Sequence, residues 1–212
     1  MHVNKSQQRQ ATRLLRLAQS GDAASLDTLL ASYIGYLKVL SHSQLDPRIR
    51  VRLSASDLVQ ESLLEAHRDF TKFVGTTPAE FTGWLRKILV HNAARAVETH
   101  LLAEKRDFRR ERPFELLHKA ADESHDRLSS MTAAHGRGPA SEAEHQDDLT
   151  LLSDAIEQLP EEYREVIVLR HVEGLKFTDI AARMDRTAGA ARMLWMRAIE
   201  KLREAMSDVT HE

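Results

Sequence analysis

The segment FTDIAARMDRTAGAARMLWMRAIEKLR, residues 177–203, predicts two helices joined by a tight turn. In the first helix, apolar residues from Ile180 to Met184 recur at helical spacing. Asp185 begins the turn, and Thr187 is a favourable N-cap for a second, basic helix. This is the helix-turn-helix pattern, in which the second helix enters the major groove of DNA. An αα-hairpin with a solvated basic face stays open as the alternative.

Composition favours a soluble, helical protein. The 212 residues are 42% hydrophobic and 29% charged, and they include only 5 Pro and 8 Gly. The absence of Cys rules out a disulfide framework and thiolate metal sites. No apolar run approaches the roughly 20 residues that span a membrane, and the N-terminus lacks the apolar core of a signal peptide, so we expect a cytoplasmic protein. The net charge of −2 disfavours a free-standing, strongly basic DNA-binding protein.

Sequence patterns for catalysis are missing. There is no Gly-rich nucleotide loop, no H-E-x-x-H and no nucleophile elbow. The four histidines between residues 118 and 145 lack a recognised ligand spacing. We therefore expect no enzyme, no metal and no cofactor.

The first half of the chain predicts several amphipathic helices. Ser54 opens one with a capping-box pattern, and its apolar residues Leu58, Leu64 and Phe70 are expected to pack inward. In the same helix a polar set at i, i+3 and i+4, which begins at Asp57, is either solvated or an interface. Thr77 begins another helix with a capping box and a Pro at the first position.

A basic stretch with an interleaved aromatic, KRDFRRER, follows at residues 105–112. It suits single-stranded nucleic acid, because cations follow phosphates while rings stack on bases. A basic helix end favoured by the macrodipole is the equal alternative.

Periodicity weakens after this stretch. Residues 114–146 are predicted to be a flexible linker, although 113–121 would form a short helix. The predicted fold is therefore all-α: a helical domain over 1–113, the linker, and a four-helix domain over 147–212 that ends in the helix-turn-helix.

Five segments, taken in order, resemble the extracytoplasmic-function (ECF) sigma factors of bacterial RNA polymerase. They are DLVQESLLEAHRDF (57–70), FTGWLRKILVHNAAR (81–95), KRDFRRE (105–111), LPEEYREVIVLRHVEGLKFTDIA (159–181) and TAGAARMLWMRAIEKLR (187–203). The resemblance implies binding to core RNA polymerase and to promoter DNA, both as −35 duplex and as a melted −10 non-template strand. It also implies an anti-sigma factor, which the residues do not identify.

The resemblance assigns three sets of site residues. The polymerase-binding set is Asp57, Leu58, Val59, Gln60 and Glu61. The −10 set is Asn92, Arg95, Lys105, Arg106, Arg109 and Arg110. The −35 set is Arg186, Thr187, Gly189, Ala190, Arg192, Met193, Arg197 and Lys201.

The helix-turn-helix departs from the family pattern at the cap, in the turn and on the recognition helix. Asp185 stands where Gly is common, and Asp tolerates the left-handed conformation, so we expect the turn to be kept. Ala190, Met193 and Leu194 stand where polar residues are common, so they would meet thymine methyls or weaken direct base readout.

Two other functions stay open from the sequence. An autonomous helix-turn-helix regulator with an N-terminal sensing domain would bind its operator without polymerase. A helical interaction protein would not depend on DNA at all.

Overall fold

The structure is a computed structural model that describes residues 3–44, 54–99, 112–134 and 142–211. Within those ranges the regular elements are helices and no strand is present, as predicted. They are α1 (Val3–Gln19), α2 (Ala23–Ser32), α3 (Ile34–Gln44), α4 (Ala55–Asp69), a 3₁₀ turn (Phe70–Lys72), α5 (Pro78–Val97), α6 (Arg112–Ala134), α7 (Glu142–Gln158), α8 (Glu161–Ile167), a π-helical segment (Val168–Val172), α9 (Phe177–Arg183) and α10 (Ala188–His211).

Both predicted capping boxes form. Ser54 Oγ accepts the Asp57 N–H at 3.1 Å, and the Ser54 N–H donates to the Asp57 carboxylate at 3.1 Å. Thr77 and Glu80 make the same reciprocal pair at 3.2 and 3.0 Å, with Pro78 as the first helical residue. Four of the N–H groups that helix starts leave without a backbone partner are thereby satisfied.

An aromatic cluster holds the N-terminal helices together. The Phe81 ring lies 5.3 Å from the Tyr33 ring and 5.4 Å from the Phe73 ring, both edge-on. Trp84 packs against Phe73 and Phe81 at 5.2 and 5.6 Å. Aromatic pairs at these separations add to the apolar burial, so the junction of α2 and α3 is fixed relative to α5 and to the residue that follows the 3₁₀ turn.

Much of the predicted linker is helical. A short helix was predicted over 113–121, but α6 continues to Ala134 and packs against α3, α5, α7 and the π-helical segment. Its buried residues Ala121, Ser124, Leu128 and Met131 follow spacings of three and four. That period is hard to detect because Ala121 is small and Ser124 is polar. Ser124 donates to the Val172 carbonyl at 3.1 Å, which explains a hydroxyl at a buried position.

The buried apolar residues form one continuous cluster that runs from Leu15 in α1 to Leu202 in α10. α7 joins the two halves of this cluster, because it packs on α1 and α3 as well as on α6 and α10. Glu157 of α7 also receives charged partners from both sides, Lys38 of α3 at 3.8 Å and Arg164 of α8 at 3.3 Å.

Candidate polymerase and nucleic-acid interfaces

The helix-turn-helix forms where the sequence predicted it. α9 ends at Arg183 with Met184 as its C-cap, and Asp185 takes the left-handed conformation with φ 52°, so an Asp does replace the usual Gly here. The Arg186 N–H closes the turn on the Ala181 carbonyl at 2.9 Å. Thr187 Oγ1 then accepts the Ala190 N–H at 3.2 Å, as expected of an N-cap.

The recognition helix α10 divides into a buried and an exposed face. Ala191, Leu194, Ala198 and Leu202 are buried at spacings of three and four. Leu194 is therefore a core residue, and the concern that an apolar side chain at this position faces DNA does not apply to it. The exposed face, together with Arg186 and Thr187 just before the helix, carries the −35 set: Arg186, Thr187, Gly189, Ala190, Arg192, Met193, Arg197 and Lys201.

The basic side chains around this helix differ in whether they form ion pairs within the protein. Arg186 donates to Glu162 at 2.7 Å, and Arg183 donates to Glu173 at 2.6 Å. Lys201 is paired with Glu204 at 2.9 Å. In contrast, Arg192 and Arg197 make no hydrogen bond or ion pair within the described part of the chain. Neither guanidinium would have to give up a hydrogen bond or an ion pair to take a new partner.

The polymerase-binding set is only partly on the surface. Leu58 and Val59 are 0% and 2% exposed, so they pack in the core rather than contact a partner, and their inclusion in this set is corrected. Asp57 is exposed but serves the capping box; the hydrogen bond from Ser54 Oγ lowers the pKa of its carboxyl group. Gln60 and Glu61 are exposed and lie side by side on α4.

Leu64 extends this face in a way that the sequence did not reveal. It was expected to pack inward, but it is 73% exposed and lies one turn beyond Gln60 and Glu61. The sequence could not predict which of two adjacent leucines is buried. Leu63 is as apolar as Leu64, and it is Leu63 that packs against the core. The exposed face of α4 therefore combines two polar groups with an apolar one.

The −10 set is described only at Asn92 and Arg95; Lys105, Arg106, Arg109 and Arg110 lie outside the described residues. Asn92 is 1% exposed, and its amide donates to Ser62 Oγ at 3.3 Å. It joins α5 to α4 inside the protein and is not accessible to DNA in this conformation, so its assignment is corrected. Arg95 is half-exposed and lies 3.6 Å from Glu61 and 3.4 Å from Glu65.

One further carboxylate has a shifted pKa. Asp154 of α7 lies against Gly35 of α3. Burial, together with the charge of Glu157, raises its pKa to about 6, while the charge of Lys38 opposes the shift. Asp154 also borders a cavity of about 170 Å³ between α1, α2 and α7.

No cluster of metal-ligating side chains is present among the described residues. None of the described helices is long and apolar enough to cross a membrane.

Comparison with known proteins agrees with this geometry. Residues 149–202 match the family model for sigma-70 region 4. The chain is 27% identical over 217 residues to the RNA polymerase sigma-H factor of Pseudomonas aeruginosa, covering 97% of this chain and 98% of that protein. It is 29% identical to the ECF RNA polymerase sigma-E factor of Haemophilus influenzae, covering 89% and 91%. RNA polymerase sigma factor CarQ of Myxococcus xanthus is 42% identical over 77 residues, 35% of this chain and 44% of that protein.

The domain over 149–202, which contains the helix-turn-helix, is thus a sigma-70 region 4 domain, a DNA-binding module of the transcription machinery. Along nearly its whole length, the chain is similar to proteins named as RNA polymerase sigma factors, including one of the ECF group. Sigma factors are non-catalytic initiation factors, in agreement with the expectation that the chain is not an enzyme. This similarity favours a sigma factor over an autonomous regulator.

Proposed function

We propose that this sigma factor binds core RNA polymerase through the exposed face of α4, defined by Gln60, Glu61 and Leu64. The same chain then directs initiation by contacting −35 duplex with α10 and the opened −10 strand with the region around Arg95. It acts in the cytoplasm, where the polymerase works. The two-domain division at 1–113 and 147–212 assigns one promoter element to each half.

The observation that carries the proposal is the exposed face of α10 in a region 4 domain, where Arg192 and Arg197 have no hydrogen-bond or ion-pair partner among the described residues. Near the start of a recognition helix, side chains reach base edges, and cations farther along reach phosphates. Arg186 and Lys201 are also exposed, and exchange of a surface carboxylate for a phosphate costs them little.

For polymerase binding, the support is the composition of the α4 face. Glu61 supplies a negative charge that steers and orients a basic partner, while Leu64 supplies apolar surface that a partner would bury. Asp57 contributes mainly by starting the helix, so its substitution would confound a binding test with loss of the cap.

For the −10 strand, Arg95 is the described candidate. Its two carboxylate partners, Glu61 and Glu65, are on α4, so contact with a phosphate would exchange one exposed ion pair for another. The basic residues of 105–110 would add to this contact. An anti-sigma partner, which the resemblance implies, stays a prediction without an assigned surface.

The test is run-off transcription with purified core polymerase and a promoter library. We expect initiation that depends on the added chain and requires both promoter elements. No chain-dependent transcript from any promoter, despite stable binding to the polymerase, would contradict the proposal.

The docking face is tested with the double variant Glu61→Ala, Leu64→Ala. We expect the affinity for core polymerase to fall at least roughly tenfold, as truncation of a central contact pair does. The matched control is Glu115→Ala, Leu116→Ala, which removes an exposed acid and an exposed Leu from α6 instead. Equal affinities of the two variants would remove the α4 assignment.

A further inference from the structure

A single aromatic ring lies beside two cations at the entrance to the helix-turn-helix. Phe177 is the first residue of α9. The guanidinium carbon of Arg170 lies 5.0 Å from the centre of the Phe177 ring, and that of Arg192 lies 5.3 Å from it. Both distances are within the range of a cation–π contact, in which the ring face attracts a positive charge.

The ring is held by its surroundings. Arg170 donates to the Leu175 carbonyl at 2.8 Å, so this guanidinium is fixed to the loop before α9. The Trp195 ring meets Phe177 edge-on at 5.7 Å. Trp195 is fixed in turn, because its indole N–H donates to His171 Nε2 at 3.0 Å. Phe177 therefore has a defined position against the π-helical segment and α10.

Contact with this ring differs from the contacts of the neighbouring arginines. Arg183 donates a hydrogen bond to Glu173, and Arg186 donates one to Glu162. A cation–π contact uses the charge of the guanidinium and consumes no N–H donor. Arg192 is thus restrained by Phe177 while its five donors stay available. A restrained side chain loses less entropy when it binds, which favours a geometrically specific contact.

Arg192 is also in the right place to read a base. It is the fifth residue of α10, in the part of a recognition helix that contacts base edges, and its side chain is exposed. Guanine presents two acceptors, O6 and N7, in the major groove, and the planar fork of an arginine pairs with both. The other residues at this end of α10 are Gly189, Ala190 and Met193, which lack a donor of that kind.

We propose that Phe177 is a positioning residue that holds the Arg192 guanidinium for bidentate recognition of one guanine in the −35 element. This rests on the proposed binding of −35 duplex by α10. It adds a residue outside the −35 set, on a different helix, that determines how sharply one base pair is distinguished.

The experiment measures transcription by the chain with core polymerase on a promoter and on versions in which each −35 base pair is replaced in turn. Arg192→Ala first identifies the pair that Arg192 reads, as the position where discrimination is lost. Phe177→Leu removes the ring and keeps an apolar side chain, whereas Phe177→Tyr keeps the ring. Discrimination is the ratio of transcript from two promoters with the same preparation, so a partly unfolded variant does not alter it.

We expect Phe177→Leu to lower discrimination at that one G·C pair by about two- to fivefold, the factor that an exposed cation–π contact corresponds to. Phe177→Tyr should keep the wild-type ratio. Unchanged discrimination in Phe177→Leu, a uniform loss at every −35 position, or a loss shared by Phe177→Tyr would each overturn the inference. If the wild-type chain transcribes from both elements but Arg192→Ala keeps full discrimination, the inference fails while the proposed function stands. If the wild-type chain drives no transcription, the proposed function fails first.

Discussion

Replacement of Gly35 by Ala tests the contact between α3 and α7 that joins the two halves of the core. A Cβ atom at Gly35 would overlap Asp154 Oδ1 and would lie 3.2 Å from Asp154 Cα. The carboxylate can rotate away, but the Cα atom belongs to the α7 backbone. A separation of 3.2 Å is tighter than an ordinary van der Waals contact, so the two helices must move apart by a few tenths of an ångström.

The size of the effect follows from two opposing contributions. Overpacking of a close contact costs about 1–3 kcal/mol. Gly→Ala in a helix returns roughly 0.5–1 kcal/mol, because the unfolded chain loses conformational freedom. The free energy of unfolding should therefore fall by about 1 kcal/mol, which for a chain of this size lowers the melting temperature by about 2–4 °C.

Thermal unfolding followed by circular dichroism is the measurement, and Gly83→Ala is the control. Gly83 lies inside α5, and a Cβ atom there meets nothing within 4 Å. The control should gain the roughly 0.5–1 kcal/mol that Gly35→Ala cannot realise. If Gly35→Ala is stabilised as much as Gly83→Ala, α3 and α7 are not in close contact in solution and the reasoning is refuted.

Two further predictions concern a shifted carboxylate and a buried amide. Burial raises the pKa of Asp154 to about 6 from its ordinary value of 3.8, so the folded state binds this proton more tightly than the unfolded state and wild-type stability should fall as pH rises from about 4 to above 6. Asp154→Asn removes this titration; in urea unfolding it should exceed the wild type in stability near neutral pH, with the difference closing towards about pH 4, and a difference independent of pH would contradict the assignment. Asn92→Ala removes the hydrogen bond to Ser62 and should lower the free energy of unfolding by about 1–3 kcal/mol in the same assay. The affinity of folded Asn92→Ala for a single-stranded −10 oligonucleotide should equal that of the wild type. A selective loss of this affinity would show that Asn92 contacts DNA after all.

Local signals in the sequence predicted the elements well. The capping boxes at Ser54 and Thr77 and the N-cap at Thr187 depend on residues within one helical turn, and each formed as predicted. The left-handed turn at Asp185 is equally local. The family resemblance, which depends on the order of whole segments, likewise agreed with the comparisons.

Which face of a helix is buried was harder to predict. α4 packs against both α3 and α5, so its buried face is wide and includes Val59 and Ser62 as well as Leu58. When the buried face is this wide, residue spacing does not predict which of Leu63 and Leu64 is buried. It also does not predict that Asn92 of α5 is buried against Ser62 of α4. The extent of α6 was missed for a related reason, because the buried hydroxyl of Ser124 is paired with a carbonyl 48 residues away, which local sequence does not reveal.

The continuous core has a consequence for affinity. α7 belongs to the region 4 domain but shares its buried surface with α1 and α3, and Glu157 faces Lys38 across that boundary. A partner that binds only molecules in which the two halves of the core have separated can use only the fraction of molecules in that open conformation. Its apparent dissociation constant therefore rises in inverse proportion to that fraction. A substitution that weakens the packing of α7 on α1 and α3 would therefore lower the melting temperature of the protein. The same substitution would increase the affinity for such a partner.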